Sequence, residues 1–386
     1  MIEFVNRRNS NCYKWDSPCA QDMLPLWVAD MDFKAAPAII SALQKRLEHG
    51  VFGYQHVPQE YYDTVSSWFS RKHGWHNITR EQIIYTTGVV PAISAILKAL
   101  QIKNNTQKLR IITFTPAYNC FFSCINNMEC QLIPIPLIYK NKYFTIDFDK
   151  LKQSAKEADV FLLCNPHNPT GRVWKQDELQ QIAEICNDNN LFVIADEIHC
   201  EFTFPEFKYT PYSTISLNDN YCICISASKA FNIAGLQCAN IFVPDPENYA
   251  VIDKAVNIHE ICDINPFGMV AQMAAYNDSE QWLNELNTYI YNNYLLLSDF
   301  LNKNMPDLIL TEMEGTYLGW VEISALNMSS ETLCRKLAEE QHVLFNPSEM
   351  YGCENFIRIN LATSTDILSE ALDKLLLFYK GHCNKR

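Results

Sequence analysis

Tyr221-Cys222-Ile223-Cys224-Ile225-Ser226-Ala227-Ser228-Lys229-Ala230-Phe231 is a short apolar run that ends on two serines and a lysine. Residues 221–226 are β-rich and lack a polar face, as expected of a strand buried on both sides. A lysine just past such a strand is costly to desolvate as an ammonium. A nearby aldehyde removes that cost by forming an imine, and a desolvated lysine with a lowered pKa suits that chemistry. Ser226 and Ser228 can donate to a phosphate at the same place. A lysine that merely caps a strand is the competing structural reading.

Working outward, residues 109–114, 159–164, 191–195 and 239–243 read as further buried strands. Residues 91–103, 117–128, 175–189 and 266–278 read as helices between them. Alternating strand and helix predicts an α/β domain around a mostly parallel sheet. Such sheets bind ligands beyond the carboxyl ends of their strands. The residues just past each strand are therefore the candidates. Asp196-Glu197 comes after 191–195 and can hold a heterocyclic nitrogen protonated or cap a loop. Asn165-Pro166-His167-Asn168-Pro169-Thr170-Gly171 comes after 159–164, and its prolines fix the amide of Asn168 in place. Thr115-Pro116-Ala117-Tyr118 comes after 109–114 and offers a ring for stacking or for the core. Thr86-Thr87-Gly88-Val89-Val90-Pro91 leads into a helix, whose first N–H groups and dipole favour an anion.

Beyond residue 279 the pattern changes to a long helix at 279–304, short strands at 308–311, 317–323, 343–345 and 356–360, and helices at 329–341 and 365–380. This suggests a smaller α+β domain. Arg358 alternates within the apolar strand 356–360 and needs an anion, either a substrate carboxylate or a structural acid.

Composition narrows the function classes. The chain has 386 residues, 48% hydrophobic and 19% charged, with a net charge of −13. That is a globular composition of roughly two or three domains, and it disfavours a general nucleic-acid or anionic-membrane binder. The N-terminus has no apolar signal core, and no apolar run approaches the ~18 residues of a membrane span. The 15 cysteines are scattered and form no C-x-x-C pair, so buried reduced thiols, a cytoplasmic location and no metal are expected. No P-loop or G-x-G-x-x-G motif occurs. Glycine is scarce at 11, so each one marks a backbone position of interest.

In this order, the pieces resemble fold-type I pyridoxal-5′-phosphate (PLP) enzymes of the class I/II aminotransferase superfamily. More narrowly the chain resembles the MalY/PatB cystathionine β-lyase, or C–S lyase, subgroup. The likeness runs from Trp27-Val28-Ala29-Asp30-Met31-Asp32-Phe33 through Gly50-Val51-Phe52-Gly53-Tyr54 and the motifs above to Glu314-Gly315-Thr316-Tyr317-Leu318 and Asn355-Phe356-Ile357-Arg358-Ile359-Asn360-Leu361-Ala362. Seven glycines, at 53, 88, 171, 235, 315, 319 and 352, fall in or beside these stretches. The resemblance implies a large PLP-binding domain over 46–284 and a small discontinuous domain over 1–45 and 285–386.

It also implies roles. Lys229 would be the Schiff-base lysine, Asp196 the partner of the pyridinium N–H, and Asn168 a donor to the ring oxygen. Tyr118 would stack on the ring. Gly88, Val89, Val90, Ser226 and Ser228 would hold the phosphate, with Tyr54 reaching it from the other subunit of a homodimer. Arg358 and Asn168 would bind the substrate, with Ala29 and Asp30 at the mouth. Two positions depart from the wider superfamily. Gln237 stands where many relatives carry a phosphate-binding arginine, and His199 stands where many carry a tyrosine at the ring oxygen. Both favour β-elimination of L-cystathionine or a related sulfur amino acid to a thiol, pyruvate and ammonia. An aminotransferase uses the same core residues, and a regulator binding a protein partner is a third reading.

Overall fold

The computed structural model describes residues 2–106, 108–258 and 264–383. Seven strands form the central sheet: β1 (Ile83–Thr86), β2 (Arg110–Thr115), β3 (Gln131–Pro136), β4 (Val160–Cys164), β5 (Phe192–Asp196), β6 (Tyr221–Ile225) and β7 (Ala239–Phe242). Their order is β1-β7-β6-β5-β4-β2-β3. Only β7 runs antiparallel to its neighbours, so the expected mostly parallel α/β sheet is present.

Every residue of β4, β5 and β6 is buried. The reason is the period of two: successive side chains point to opposite faces, and helices cover both. On one face Leu162, Ile194, Cys222 and Cys224 pack with Ile93, Ile96 and Leu97 of α3 (Val89–Lys103) and Phe121 of α4 (Asn119–Asn127). On the other face Phe161, Leu163, Val193 and Ile223 join α2 (Gln59–His73), α5 (Gln176–Asp188) and α7 (Pro266–Asp278). Helix α1 (Pro37–His49) lies against α7, and α6 (Ala227–Ala230) is a single turn after β6.

Two central strands were not anticipated, and both are edges. The β3 segment Gln131–Pro136 carries prolines at 134 and 136 and is largely exposed. Proline cannot donate to a ladder and is tolerated at an edge strand. The β1 segment has four residues and pairs only with β7, too short for a periodic signal.

Past the long helix α8 (Glu280–Asn304), a second sheet holds β8 (Ile309–Leu310), β9 (Leu318–Glu322), β10 (Asn346–Pro347) and β11 (Phe356–Asn360), in the order β8-β9-β11-β10. Helices α9 (Ser330–Gln341) and α10 (Thr365–Cys383) accompany it. The N-terminal stretch joins this part, as Leu24–Pro25 pairs with Val343–Leu344 in parallel. The expected boundaries at 45/46 and 284/285 fall inside α1 and α8. No helix among the described residues is long and apolar enough to cross a membrane.

Candidate active site

Register places the site. Cys164 pairs with Asp196, and Asp196 pairs with Cys224. The carboxyl ends of β4, β5 and β6 therefore lie flush, and the segments leaving these strands meet one another. Above them is a cleft of about 200 Å³. Its walls bring together Ala29, Gly88, Val89, Val90, Tyr118, Asn168, Asp196, His199, Ser226, Ser228 and Lys229, all of them expected from sequence.

Lys229 sits in the single turn of α6, and its Nζ donates to the carbonyl of Ala29 at 2.6 Å. Burial lowers its pKa, and the Arg358 charge works in the same direction, against the opposing pull of Asp30 and Asp196. Asp196 ends β5, and its Oδ1 accepts from the N–H of Ile198 at 3.1 Å. Burial nevertheless pushes its carboxyl up to about 7. His199 is buried and held neutral, its pKa pushed down to about 3 by burial and then by the Lys229 and Arg358 charges. Its Nδ1 has no hydrogen-bond partner.

Gly88 is the N-cap of α3 with no side-chain cap, so the first N–H groups of that helix are free to meet an anion. Its φ of 171° is extended backbone, and a Cβ there would touch only the Pro91 ring at 3.4 Å or beyond. A side chain at Gly88 is therefore not excluded by its surroundings, and glycine scarcity does not mark a steric need there. Ser226 is also more committed than expected: its hydroxyl donates to the carbonyl of Cys238 at 2.6 Å and accepts from the N–H of Ser228 at 3.0 Å. Lys229 is the sole cationic side chain among the described residues lining the cleft, and Gln237, in the left-handed region at φ 52°, does not line it.

Arg358 adjoins the cleft through Asn168, whose Oδ1 accepts from Nη1 at 3.2 Å. Its Nη2 donates to the carbonyl of Trp27 at 3.0 Å, and the guanidinium lies 4.8 Å over the Tyr351 ring. The residue is 3% exposed, and its Nε has no partner. Among the described residues no carboxylate lies within ion-pairing distance of it. That disposes of the structural salt bridge and leaves a buried cation short of an anion. Asp30 at the mouth is paired with Arg7 at 2.8 Å. Tyr54 is 93% exposed and takes no part in this chain's own cleft.

Sequence reasoning missed the fastening of the segment at 27–33. Asn360 Nδ2 donates to the carbonyls of Val28 and Asp30 at 2.6 Å each. Asn346 holds the carbonyl of Trp27, Asn232 those of Met31 and Phe33, and the Tyr317 hydroxyl that of Ala29. The available signal was Asn360 itself, two residues past Arg358 and so on the same face of β11.

Residues 21–375 match the family of class I and II aminotransferases. The chain belongs to that family. Among class I and II aminotransferase relatives it is similar to cystathionine β-lyase PatB of Bacillus subtilis, 33% identical over 96% of this chain and 97% of the relative. It is likewise similar to protein MalY of Escherichia coli, 30% identical over 96% of each. Among solved structures it is similar to cystalysin of Treponema denticola, which contains a pyridoxal 5′-phosphate cofactor. That match has a TM-score of 0.94 and 32% identity over 99% of both chains. These matches span the fold expected from sequence, the PLP enzyme fold of type I.

Proposed function

We propose that this chain is a PLP-dependent C–S lyase that breaks L-cystathionine or a related sulfur amino acid to a thiol, pyruvate and ammonia. The observation that carries it is the convergence on one cleft of a recessed lysine, a buried carboxyl and a buried arginine with no acid of its own. The resemblance to PatB, and the presence of Gln237 and His199, support elimination.

The residues fit the cofactor. Lys229 would bind its aldehyde carbon, and Asp196 would face the ring nitrogen. Tyr118 would lie on the ring. Asn168 and the unpartnered Nδ1 of His199 suit the ring oxygen. The uncapped start of α3 at Gly88, Val89 and Val90 would take the phosphate, with Ser228. When bound, PLP supplies an electron sink for negative charge developed at the substrate Cα.

The chain's own groups do the rest. Arg358 and Asn168 bind the substrate α-carboxylate, with the guanidinium Nε free to donate to it. Fixing that carboxylate orients the Cα–H bond for attack. Lys229 Nζ, whose pKa burial lowers, takes the Cα proton. Asp196 as a carboxylate holds a proton on the ring nitrogen, where its charge favours the protonated form. With a dianionic phosphate, the phosphate end of the cleft, which has no arginine, needs a further donor, so in this proposal the enzyme is a homodimer and the partner subunit's Tyr54 supplies it. The exposed neighbours Val51 and Phe52 belong to the same contact. The division into a large domain over 46–284 and a small one over 1–45 and 285–386, and a cytoplasmic location, complete the reading.

The test is Lys229→Ala. The purified wild-type protein should carry the visible absorbance of lysine-linked PLP and release pyruvate from L-cystathionine, and the variant should lose both. Retention of that absorbance by the variant would remove Lys229 from its role.

An aminotransferase is the second reading, favoured by the family to which the chain belongs. It uses the same lysine, aspartate and arginine and differs in requiring a 2-oxo acid acceptor.

A further inference from the structure

On the α2 side of the sheet, away from the cleft, three side chains of different chemistry converge. His73 ends α2, and Cys200 and Glu201 lie in the loop just past Asp196. A ring nitrogen, the thiol sulfur and a carboxylate oxygen all come within 4.8 Å of one another. His73 Nε2 is 2.9 Å from Glu201 Oε1, and Cys200 Sγ is 3.8 Å from the same oxygen. Trp68 Nε1 donates to Oε1 at 2.6 Å and fixes the carboxylate. Glu201 is 6% exposed, and its second oxygen, Oε2, is buried with no donor.

An independent observation points the same way. Asn287 Nδ2 donates to the Glu201 carbonyl at 2.8 Å, while its Oδ1 is buried with no donor. His73, Cys200, Glu201 and Asn287 all line one cavity of about 410 Å³. A carboxylate oxygen and an amide oxygen are acceptors only, and leaving them buried and bare is costly. A cation in this cavity relieves the Glu201 carboxylate. Lys72 and Lys208 also line the cavity, but Lys72 is engaged by Glu280 at 3.1 Å and Asn284 at 3.3 Å.

Nitrogen, sulfur and oxygen donors together suit a borderline-soft divalent ion, and three protein ligands leave a fourth position open to the cavity. We propose that His73, Cys200 and Glu201 form a binding site for zinc or a divalent ion of similar chemistry, tying the end of α2 to the loop behind Asp196. On binding, the Cys200 thiol gives up its proton to solvent and becomes the thiolate ligand. Burial and the nearby Glu201 and Glu197 carboxylates hold that thiol pKa well up, so metal affinity rises with pH. Cysteine spacing does not reveal the site, because His73 and Glu201 are 128 residues apart.

The test uses the holoenzyme, freed of metal by chelation and titrated with Co²⁺. Ligand-field bands at the red end of the visible spectrum, clear of the cofactor, should saturate at a single cobalt per chain and vanish on adding Zn²⁺. In Cys200→Ser and in His73→Gln, affinity should fall on the order of tenfold or more with the cofactor retained. Absence of the bands, or bands of unchanged affinity in both variants, would overturn the site. If Cys200→Ser does not fold, His73→Gln decides, together with the unfolding temperature of the wild type. Zinc should raise that temperature, and a midpoint unmoved by zinc would overturn the site equally.

Discussion

In the proposed function, Arg358 is the single residue that turns the fold into a binding site. A guanidinium buried without an acid is costly by itself, and a substrate carboxylate would cancel the cost. A lysine there keeps the charge but loses the planar fork. Arg358→Lys should therefore raise KM for L-cystathionine roughly thirtyfold, corresponding to a loss of about 2 kcal/mol, measured from initial rates of pyruvate release. An unchanged KM would take the α-carboxylate away from Arg358. Asp196 gives a pH signature in the cofactor-free protein. Its folded pKa of about 7 lies above the ordinary 3.8, and that of Glu197, about 8, lies above 4.5, burial being the main cause in both. Each binds its proton more tightly folded than unfolded. Their contribution therefore favours the folded state in acid and is lost as pH climbs from about 4 through 7 to 8. Asp196→Asn should flatten the part of that fall below pH 7, read as the urea midpoint against pH. Lys229, Asp196, Asn168 and Tyr118 were legible in the sequence because each lies at or just past the end of a strand, where an α/β sheet puts its ligands. The prior commitment of the Ser226 hydroxyl was not, because it depends on how the backbone returns at Cys238.

At the scale of elements, the loop that carries Asn168 is held from below by a second loop. The carbonyl of Gly171 accepts from the N–H groups of Glu314 and Gly315 at 2.8 and 3.0 Å. Arg172, fully buried, bonds Glu314 at 2.8 Å and Glu178 at 2.8 Å. Gly171 has a φ of +74°, in the left-handed region that favours glycine. A Cβ at Gly315 would collide with the carbonyl oxygen of Phe202 and lie 2.8 Å from Val173 Cγ2. Gly315→Ala should cost about 1–3 kcal/mol of stability in chemical denaturation, and a neutral result would mean the two loops have slack. Glycine scarcity was a fair guide here and a poor one at Gly53 and Gly235, where a Cβ would meet nothing within 4 Å. Scarcity marks where glycine is kept; only the packing says whether a side chain is excluded. The same limit explains the unforeseen β1 and β3, since a short strand and a proline-bearing edge carry little periodic signal.

At the scale of the molecule, the cleft is assembled from the ends of parallel strands on one side and from the segment at 27–33 on the other. Side chains from β11, β10, the residue just before β9 and the turn after α6 fasten that segment by its backbone carbonyls. Distance along the chain is what hid this fastening, because Asn360 and Asp30 are 330 residues apart. The whole arrangement supports proton removal at Cα and leaves the fate of the resulting negative charge to the leaving group on Cβ. Elimination needs no second substrate, whereas amino-group transfer needs a 2-oxo acid. The decisive measurement is pyruvate release from L-cystathionine by the purified, PLP-loaded protein, with and without 2-oxoglutarate. Release at the same rate in both is the expected result; pyruvate that forms only when 2-oxoglutarate is present, or a 2-oxo acid product in its place, would contradict the assignment as a C–S lyase.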